Sequence, residues 1–223
     1  MQRISIFDMD RTVTKKGTYA MWLTHWMRSQ APARGLLLPV SGLLGLGFMV
    51  RALDRGKLKE LNQRLFMGSK VDPEVVAQEA QRFADEIVPE HCYEQAIDRL
   101  RQERAEGRRV MLATASYEFY VRPIAVKLRA EDVIATEVEH TPDGRIRPKI
   151  RGENCYGEAK LRKVERYFEE RGIVREEVHV RFFTDHHSDA PVLDWADEAF
   201  AINGKTPMAR LTHERGWEPL IWS

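Results

Sequence analysis

Acidic and hydroxyl-bearing residues follow three short apolar runs of the sequence. These residues are Asp8 with Asp10, Thr114 with Ser116, and Asp185 with Asp189. Clustered carboxylates repel one another and raise each other's pKa unless a cation lies between them. A few hard oxygen ligands with room for water suit Mg²⁺ better than zinc or copper. If the three runs meet in space, the pattern predicts a magnesium site.

A lysine accompanies these groups. Gly157-Glu158-Ala159-Lys160 opens a segment with helical periodicity between the second and third acidic groups. A lysine and a hydroxyl beside a bound Mg²⁺ would receive a phosphoryl group, whose transfer depends on positioning and charge neutralisation. Asp8 could then act as a nucleophile, and Asp10 could protonate the leaving oxygen.

The elements that must position these side chains are strands that alternate with helices. The apolar patterns predict strands over 3–8, 109–114, 132–138, 178–184, 199–202 and 220–221, with a hairpin turn at Pro142-Asp143-Gly144. Alternating strands and helices indicate a mostly parallel sheet with right-handed crossovers. We therefore predict a Rossmann-like α/β fold with helices on both faces of the sheet. Ligands of such sheets bind at the carboxyl ends of the strands, where the polar groups fall.

The segment 16–88 contains no strand pattern. Tyr19, Trp22 and Trp26 recur at helical spacing, and Asp72-Pro73 is a good helix start because an acidic cap precedes proline. The sequence therefore predicts an all-helical cap over 16–88, inserted after the first strand of a core formed by 1–15 and 89–223. We expect the aromatic stripe to be cap core, with an aromatic wall above the substrate as the alternative.

Four motifs in this order resemble the haloacid dehalogenase (HAD) superfamily. They are DMDRT at 8–12, Thr114 after an apolar strand, Lys160, and DHHSD at 185–189. The helical insertion after the first motif, TAS at 114–116 and NCYGEAK at 154–160 are similar to the phosphoserine-phosphatase-like branch (subfamily IB). The resemblance covers nearly the whole chain, and it implies a phosphatase because dehalogenase members lack an acid at the position of Asp10.

The resemblance implies a role for each matching residue. Asp8 would form an aspartyl-phosphate, and Asp10 would be general acid and then general base. Thr114 would bind the phosphoryl oxygens together with backbone N–H groups of 114–116, which include Ala115 and Ser116. Lys160 would neutralise charge on phosphate and nucleophile. Mg²⁺ would be held by Asp8, the backbone carbonyl of Asp10 and Asp185, with Asp189 completing or orienting the set.

Some positions depart from the family pattern. Arg11 replaces a glycine or asparagine, and Ser188 stands where many relatives have asparagine. The substrate-binding glutamate of phosphoserine phosphatases is replaced by Gly17, which counts against phosphoserine as the substrate. Arg64 falls near a carboxylate-binding arginine of those enzymes, so we predict it to bind substrate, although Lys57, Lys59, Arg64 and Lys70 also have the pattern of a solvated helix face.

One run, 35–50, contains no charged residue and is flanked by Arg34 and Arg51. It is shorter than the about 20 residues of a spanning helix, and it contains Pro39 and four glycines. We expect a buried or partly exposed helix pair in a soluble domain, and the alternative is an interfacial segment that contacts lipid or an amphiphilic substrate. A cap this apolar favours an amphiphilic phosphate such as a lysophospholipid, with amino-acid, choline and sugar phosphates as alternatives.

Composition limits the remaining classes. The 223 residues are 43% hydrophobic, which supports a packed core and excludes collagen-like, mucin-like and disordered chains. Lys+Arg 35 against Asp+Glu 34 argues against a nucleic-acid binder. Cys92 and Cys155 form no CxxC motif, so neither a disulfide framework nor structural zinc is expected. No signal peptide pattern opens the chain, and we expect a cytoplasmic protein, with peripheral contact to the inner face of a membrane through 35–50 as an option.

Two functions of other classes stay open at this stage. A receiver-type phospho-acceptor domain also uses acidic residues, threonine and lysine, but the long helical insertion and the late acidic pair argue against it. A membrane-surface binding protein with a vestigial phosphate site is the other alternative. The pair His186-His187 suggests metal ligands, yet adjacent side chains seldom face one site, so we predict solvated loop residues.

Overall fold

A seven-stranded sheet organises the chain, as seen in a computed structural model that describes residues 2–223. Its strands are β1 (Gln2–Phe7), β2 (Arg109–Tyr117), β3 (Asp132–His140), β4 (Ile146–Arg151), β5 (Val178–Thr184), β6 (Glu198–Ile202) and β7 (Glu218–Leu220). They lie in the order β4-β3-β2-β1-β5-β6-β7. All neighbours are parallel except β3 and β4, which form the predicted antiparallel hairpin.

Nine α-helices connect the strands within residues 2–223. They are α1 (Thr18–Gln30), α2 (Leu38–Met49), α3 (Arg55–Met67), α4 (Pro73–His91), α5 (Glu94–Ala105), α6 (Glu118–Leu128), α7 (Glu158–Glu170), α8 (Ala190–Trp195) and α9 (Thr206–Arg215). Short 3₁₀ turns occupy Pro32–Leu37, Arg175–Glu177 and His187–Asp189. The predicted α/β class is confirmed. The turn at His187–Asp189 and helix α8 were not predicted.

The central strand β1 shows why the sheet is covered on both faces. Successive side chains of a strand point to opposite faces. Ile4 and Ile6 belong to one buried cluster, whereas Phe7 belongs to a second one. Helices α7 and α8 supply the first cluster, and α4 and α6 supply the second. Phe7 stacks on Phe183 of β5 at 4.1 Å between ring centroids, which fixes the register at the end of β1 that carries the acidic motif.

Helices α1 to α4 follow β1 without an intervening strand, as predicted. Asp72 caps α4 by accepting a hydrogen bond from the Glu74 amide, and Pro73 occupies the first helical position. Helix α4 runs through Pro89 to His91 and packs against α6 of the sheet layer. The division into a core of 1–15 and 89–223 and a cap of 16–88 stays a prediction.

The buried side of α3 is more polar than predicted. The sequence pattern marks Leu58, Leu61, Leu65 and Phe66 as an apolar helical stripe, and in the structure Phe66 is buried whereas the three leucines are only half-buried. The buried positions include Lys59 and Asn62. Because this side of α3 lies over the crevice at the strand ends, it carries polar groups where a core-facing helix would carry leucines.

Helix α2 has an unusual environment. None of its residues is buried, although the sequence is apolar throughout. Leu43 and Leu46 are 66% and 54% exposed. The stretch Pro32–Met49 is long and apolar enough to cross a membrane by length and composition, although buried and signal helices pass the same test. The predicted helix is therefore present, but none of its residues is buried in a protein core.

Candidate active site

The polar groups predicted from the strand ends meet in one crevice. Its volume is about 640 Å³, a typical size for a small-molecule site. The predicted site residues that line it are Asp8, Asp10, Thr114, Ala115, Ser116, Lys160, Asp185 and Asp189. Strands β1, β2 and β5 are adjacent and parallel, so their carboxyl ends bring together residues far apart in sequence.

Lys160 lies at the bottom of this crevice between two carboxylates. Its Nζ donates to Asp8 at 2.8 Å and to Asp189 at 2.6 Å, and all three side chains are buried. Gly157 has a φ of +60°, a conformation that glycine adopts readily, and it precedes α7, whose first turn carries Lys160. Burial alone would lower the pKa of Lys160, but Asp189 and Asp8 raise it above its usual value. Lys160 is therefore protonated and positively charged at neutral pH.

Thr12 lies between Asp8 of the first motif and Asp185 of the fourth motif. Its hydroxyl lies 3.1 Å from Asp8 and 3.4 Å from Asp185, and it accepts a hydrogen bond from the Asp185 amide. Burial raises the pKa of Asp8 to about 7, although Lys160 opposes this. Burial, followed by the charge of Asp189, raises the pKa of Asp185 to about 6. The charge of Asp185 also raises the pKa of Asp8, so the two carboxylates are electrostatically crowded.

The carboxylate of Asp10 is held by hydroxyl and amide donors. One carboxylate oxygen accepts from the Thr18 amide and hydroxyl, at 2.6 and 2.7 Å. The other accepts from the Ser116 hydroxyl at 2.6 Å. Thr18 begins α1, so Asp10 satisfies a free amide at the start of that helix. The side chain of Asp10 is thereby aimed along the β1–β2 side of the crevice.

The strand β2 supplies the hydroxyl and backbone groups of the TAS motif. Thr114 is fully buried, and its hydroxyl accepts a hydrogen bond from the Ser116 amide at 3.2 Å. The Ala115 carbonyl accepts from the hydroxyl of Thr136 on β3 at 2.7 Å. The strand was predicted to end at Thr114 but continues to Tyr117, so Ser116 bonds to Asp10 from within a strand rather than from a loop.

Lys59 was predicted on a solvated helix face, and the structure contradicts that placement. It is 8% exposed, and its Nζ donates to the Ala115 carbonyl at 2.6 Å and to Asn154 at 3.1 Å. The ammonium also lies 4.1 Å from the ring centre of Tyr117. Burial lowers the pKa of Lys59 to about 7, although Asp10 opposes this. Helix α3 thus brings a second lysine to the crevice.

The prediction that Arg64 binds substrate is wrong in its placement. Arg64 is exposed and does not line the crevice. The helical repeat places it on a different side of α3 from Lys59. Arg55, one turn before Lys59, lines the crevice instead, with its guanidinium 4.2 Å from the ring centre of Tyr156. The cations of α3 that line the crevice are therefore Arg55 and Lys59.

The two histidines of the fourth motif differ in position. His186 lines the crevice, and its Nδ1 lies 2.8 Å from the Ser188 hydroxyl. His187 stacks on His186 but does not line the crevice. Burial, with the neighbouring His187, lowers the pKa of His186. Arg11 is exposed with a φ of +63° and also lines the crevice, where its charge opposes the rise in the pKa of Asp185.

The donor set of the crevice fits a magnesium ion. Within residues 2–223, no group of three or more His, Cys, Asp or Glu side chains is arranged to hold a metal. Asp8 and Asp185 provide two carboxylates instead, and one buried oxygen of Asp189 has no hydrogen-bond partner. Mg²⁺ commonly takes one or two carboxylates and keeps several waters, so two carboxylates and a carbonyl suit it.

Sequence comparison identifies the family to which this arrangement belongs. A family model described as haloacid dehalogenase-like hydrolase matches residues 6–194, which include all four motifs. The chain belongs to this hydrolase superfamily. The resemblance predicted from the four motifs is thus confirmed, together with the hydrolase class of the enzyme.

Two curated relatives of this HAD hydrolase cover much of its length. Protein CicA of Caulobacter vibrioides is 29% identical over 162 residues, which cover 73% of this chain and 71% of the relative. A histidinol-phosphatase of Neisseria meningitidis is 21% identical over 224 residues, which cover 99% of both chains.

Solved structures share the fold of this HAD hydrolase. A protein of unknown function from Bordetella pertussis Tohama I has a TM-score of 0.87 at 23% identity, covering 99% of this chain and 98% of the other. A substrate-bound phosphoserine phosphatase has a TM-score of 0.62 at 16% identity, with coverage of 94% and 90%. The predicted similarity to the phosphoserine-phosphatase branch therefore holds for the fold.

Proposed function

We propose that this HAD hydrolase is a magnesium-dependent phosphomonoesterase that acts through an aspartyl-phosphate. The observation that carries the proposal is the different environment of the two acids of the first motif. Asp8 pairs with Lys160 at 2.8 Å, whereas Asp10 is held by the hydroxyls of Thr18 and Ser116. One carboxylate thus adjoins a fixed positive charge that would attract phosphate, and the other is positioned to exchange a proton.

The chain's own residues account for both half-reactions. A carboxylate oxygen of Asp8 bonds to phosphorus while the ester P–O bond breaks, and Asp10 gives its proton to the departing alkoxide. In the second half-reaction Asp10 takes a proton from water, the water oxygen bonds to phosphorus, and the acyl-phosphate bond breaks. Inorganic phosphate leaves, and Asp8 returns as a carboxylate. Lys160 neutralises the phosphoryl oxygens in both half-reactions.

The residues that would hold Mg²⁺ are Asp8, Asp185 and the backbone carbonyl of Asp10, with Asp189 orienting the set. When bound, the ion supplies positive charge that stabilises the phosphoryl oxygens. It would also offset the crowding that raises the pKa values of Asp8 and Asp185.

The outer part of the crevice supports an amphiphilic phosphate as substrate. Apolar and aromatic side chains form its rim, namely Tyr19, Phe48, Leu58 and Tyr156. Phe48 is the point at which the exposed helix α2 meets the crevice. An ester with a hydrocarbon portion would place its phosphate beside Lys160 and its apolar part against this rim. Amino-acid, choline and sugar phosphates lack that apolar part.

The Asp8→Asn variant tests the mechanism. It removes the nucleophile but keeps the side-chain volume, so hydrolysis of p-nitrophenyl phosphate with Mg²⁺ should fall to background while the circular dichroism spectrum stays unchanged. The matched control is Asp98→Asn, at an exposed position of α5, and it should keep full activity. Unchanged turnover by Asp8→Asn would exclude the aspartyl-phosphate route.

A panel of phosphomonoesters tests the substrate class, and it compares a lysophospholipid whose headgroup is a free monoester phosphate with phosphorylated amino-acid, choline and sugar esters. We expect the lipid esters to have the higher kcat/KM. If polar esters are favoured by about tenfold or more, equal to about 1.4 kcal/mol in transition-state binding, the amphiphilic substrate is excluded while phosphatase chemistry stands.

A further inference from the structure

The helix α2 exposes more apolar surface than its neighbours in the fold. From Leu36 to Val50 several large side chains are largely uncovered by protein; they are Leu36, Leu38, Leu43, Leu46, Met49 and Val50, between 54% and 85% exposed. Isolated exposed leucines are ordinary, but a contiguous apolar patch on a soluble domain marks a contact with another phase or partner. The remaining question is what covers it.

The charge distribution selects the partner. Residues 15–70 carry ten Lys or Arg and only two Asp or Glu, a net charge of +8 within a chain of net +1. The rest of the chain therefore carries a net −7. Arg34 and Arg51 flank the apolar segment; Arg51 is exposed and Arg34 is half-buried. An exposed apolar helix within a strongly basic stretch of chain is complementary to a bilayer that contains anionic lipids.

The attachments of α2 to α3 determine how it would meet a bilayer. The Ser41 hydroxyl donates to Asn62 of α3 at 2.6 Å. Arg34, which precedes α2, donates to the Leu65 carbonyl of α3 at 3.0 Å. Helix α3 also carries Lys59 in the crevice, so α2 cannot enter a bilayer lengthwise without losing these bonds. At 12 residues, or about 18 Å, α2 alone is also shorter than the hydrocarbon core.

We infer that α2 docks this hydrolase on the surface of an anionic lipid bilayer, lying in the plane of the interface. Because Phe48 at the end of α2 lines the crevice, this docking would bring the crevice mouth to the level of the lipid headgroups. The inference goes beyond the proposed chemistry, since binding to a bilayer requires no turnover.

Co-flotation with vesicles tests the inference on the full chain. The wild type should float with vesicles of phosphatidylglycerol and phosphatidylcholine, and less with phosphatidylcholine alone or at high salt. The Leu43→Glu/Leu46→Glu variant should lower the partition coefficient by about tenfold or more. Val126→Glu/Val174→Glu makes the same charge change at exposed apolar residues of other elements and should float like the wild type.

Controls separate this inference from the proposed reaction. The Leu43→Glu/Leu46→Glu variant should hydrolyse p-nitrophenyl phosphate like the wild type, because neither leucine lines the crevice. Asp8→Asn should still float. A wild type that stays with the solvent, or floats equally well after the leucines are changed, overturns the inference. So does a stable dimer that the leucine changes dissociate and that does not bind vesicles, because a second copy would then cover α2.

Discussion

Lys59 is a charged side chain whose environment the helical pattern does not reveal. Its buried ammonium bonds to the Ala115 carbonyl and to Asn154, between α3 and the strand ends. Lys59→Met keeps the length of the side chain but removes the charge and leaves two buried acceptors with fewer donors. We expect kcat/KM for p-nitrophenyl phosphate to fall by about tenfold. Lys57→Met, at an exposed position two residues earlier, should have little effect.

The titration of Lys59 predicts the direction in which kcat/KM changes with pH. Burial lowers the pKa of Lys59 to about 7, so the side chain is charged below that pH and neutral above it. With Mg²⁺ saturating, this group should make wild-type kcat/KM fall as the pH rises through 7. Lys59→Met should lack that component. A variant whose profile matches the wild type would show that Lys59 does not attract the substrate.

Ser116 holds the carboxylate of Asp10 rather than a substrate atom. Its hydroxyl donates to Asp10 at 2.6 Å. We expect Ser116→Ala to lower kcat by about tenfold for an alkyl phosphate, whose leaving group needs a proton from Asp10. For p-nitrophenyl phosphate the loss in the first half-reaction should be much smaller, since its leaving group is a weak base.

Single-turnover measurements of alcohol release compare the two esters. Ser69→Ala, an exposed serine after α3, is the matched control and should change neither rate. Equal losses on both esters would mean that Ser116 supports the nucleophile or the phosphate instead of the acid.

The sequence allowed Asp8, Asp10, Thr114, Lys160 and Asp185 to be placed together because strand ends converge in a parallel sheet. The structure brings all five to one crevice. Their catalytic roles stay predictions. Lys59 could not be found in this way, because a lysine on an amphipathic helix looks solvated whether it faces water or a polar crevice.

Trp22 is the contact by which α1 joins the neighbouring helices. It is fully buried, stacks on Tyr120 of α6 at 5.4 Å, and meets Phe83 of α4 edge-on at 5.5 Å. Trp22→Ala should lower the free energy of unfolding by about 3–5 kcal/mol through the lost contacts and the cavity. Leu38→Ala on the exposed helix α2 should change it by less than about 0.5 kcal/mol.

Urea unfolding monitored by circular dichroism measures both changes. If Trp22→Ala removes only a minor transition at low urea and leaves the midpoint of the main transition unchanged, then α1 unfolds separately from the sheet. Trp22 would in that case stabilise only the helical insertion.

Helices were predicted well where their apolar residues face protein. The aromatic spacing of α1 and the capping residues of α4 both indicated the correct elements, because burial and capping leave local patterns. Helix α2 was predicted within a buried or partly exposed helix pair, and the extent of its exposure stayed open because composition cannot show which apolar residues lack a protein partner. The six-residue α8 is too short to show a repeat.

The two cysteines test the packing of the whole molecule. Cys92 and Cys155 are buried and unpaired. Burial raises the pKa of Cys92 to about 11 and that of Cys155 to about 12, so at pH 8 both are protonated and unreactive. The native protein should not react with a thiol reagent such as Ellman's reagent, and two thiols should react after denaturation. Rapid labelling of the native chain would contradict this packing.

The strand order could not be read from the sequence. Apolar runs showed where strands lie but not which of them are neighbours, so the pairing of β1 with β2 and β5 required the structure. That pairing is what brings Lys160 to Asp8 across 152 positions of sequence. Order along the chain thus predicts which residues form the site, whereas distances depend on the packing of the whole sheet.

The hydrogen bonds between Asp10 and Thr18 limit how this enzyme could be redesigned. A chimera that exchanged 16–88 for the corresponding insertion of a relative would also exchange the amide and hydroxyl that hold the Asp10 carboxylate. A graft without a hydroxyl residue at position 18 would import new specificity but leave Asp10, the proposed proton donor, poorly oriented. Residue 18 therefore affects both the exchanged segment and the position of Asp10. A functional graft should keep Thr18 and begin after it.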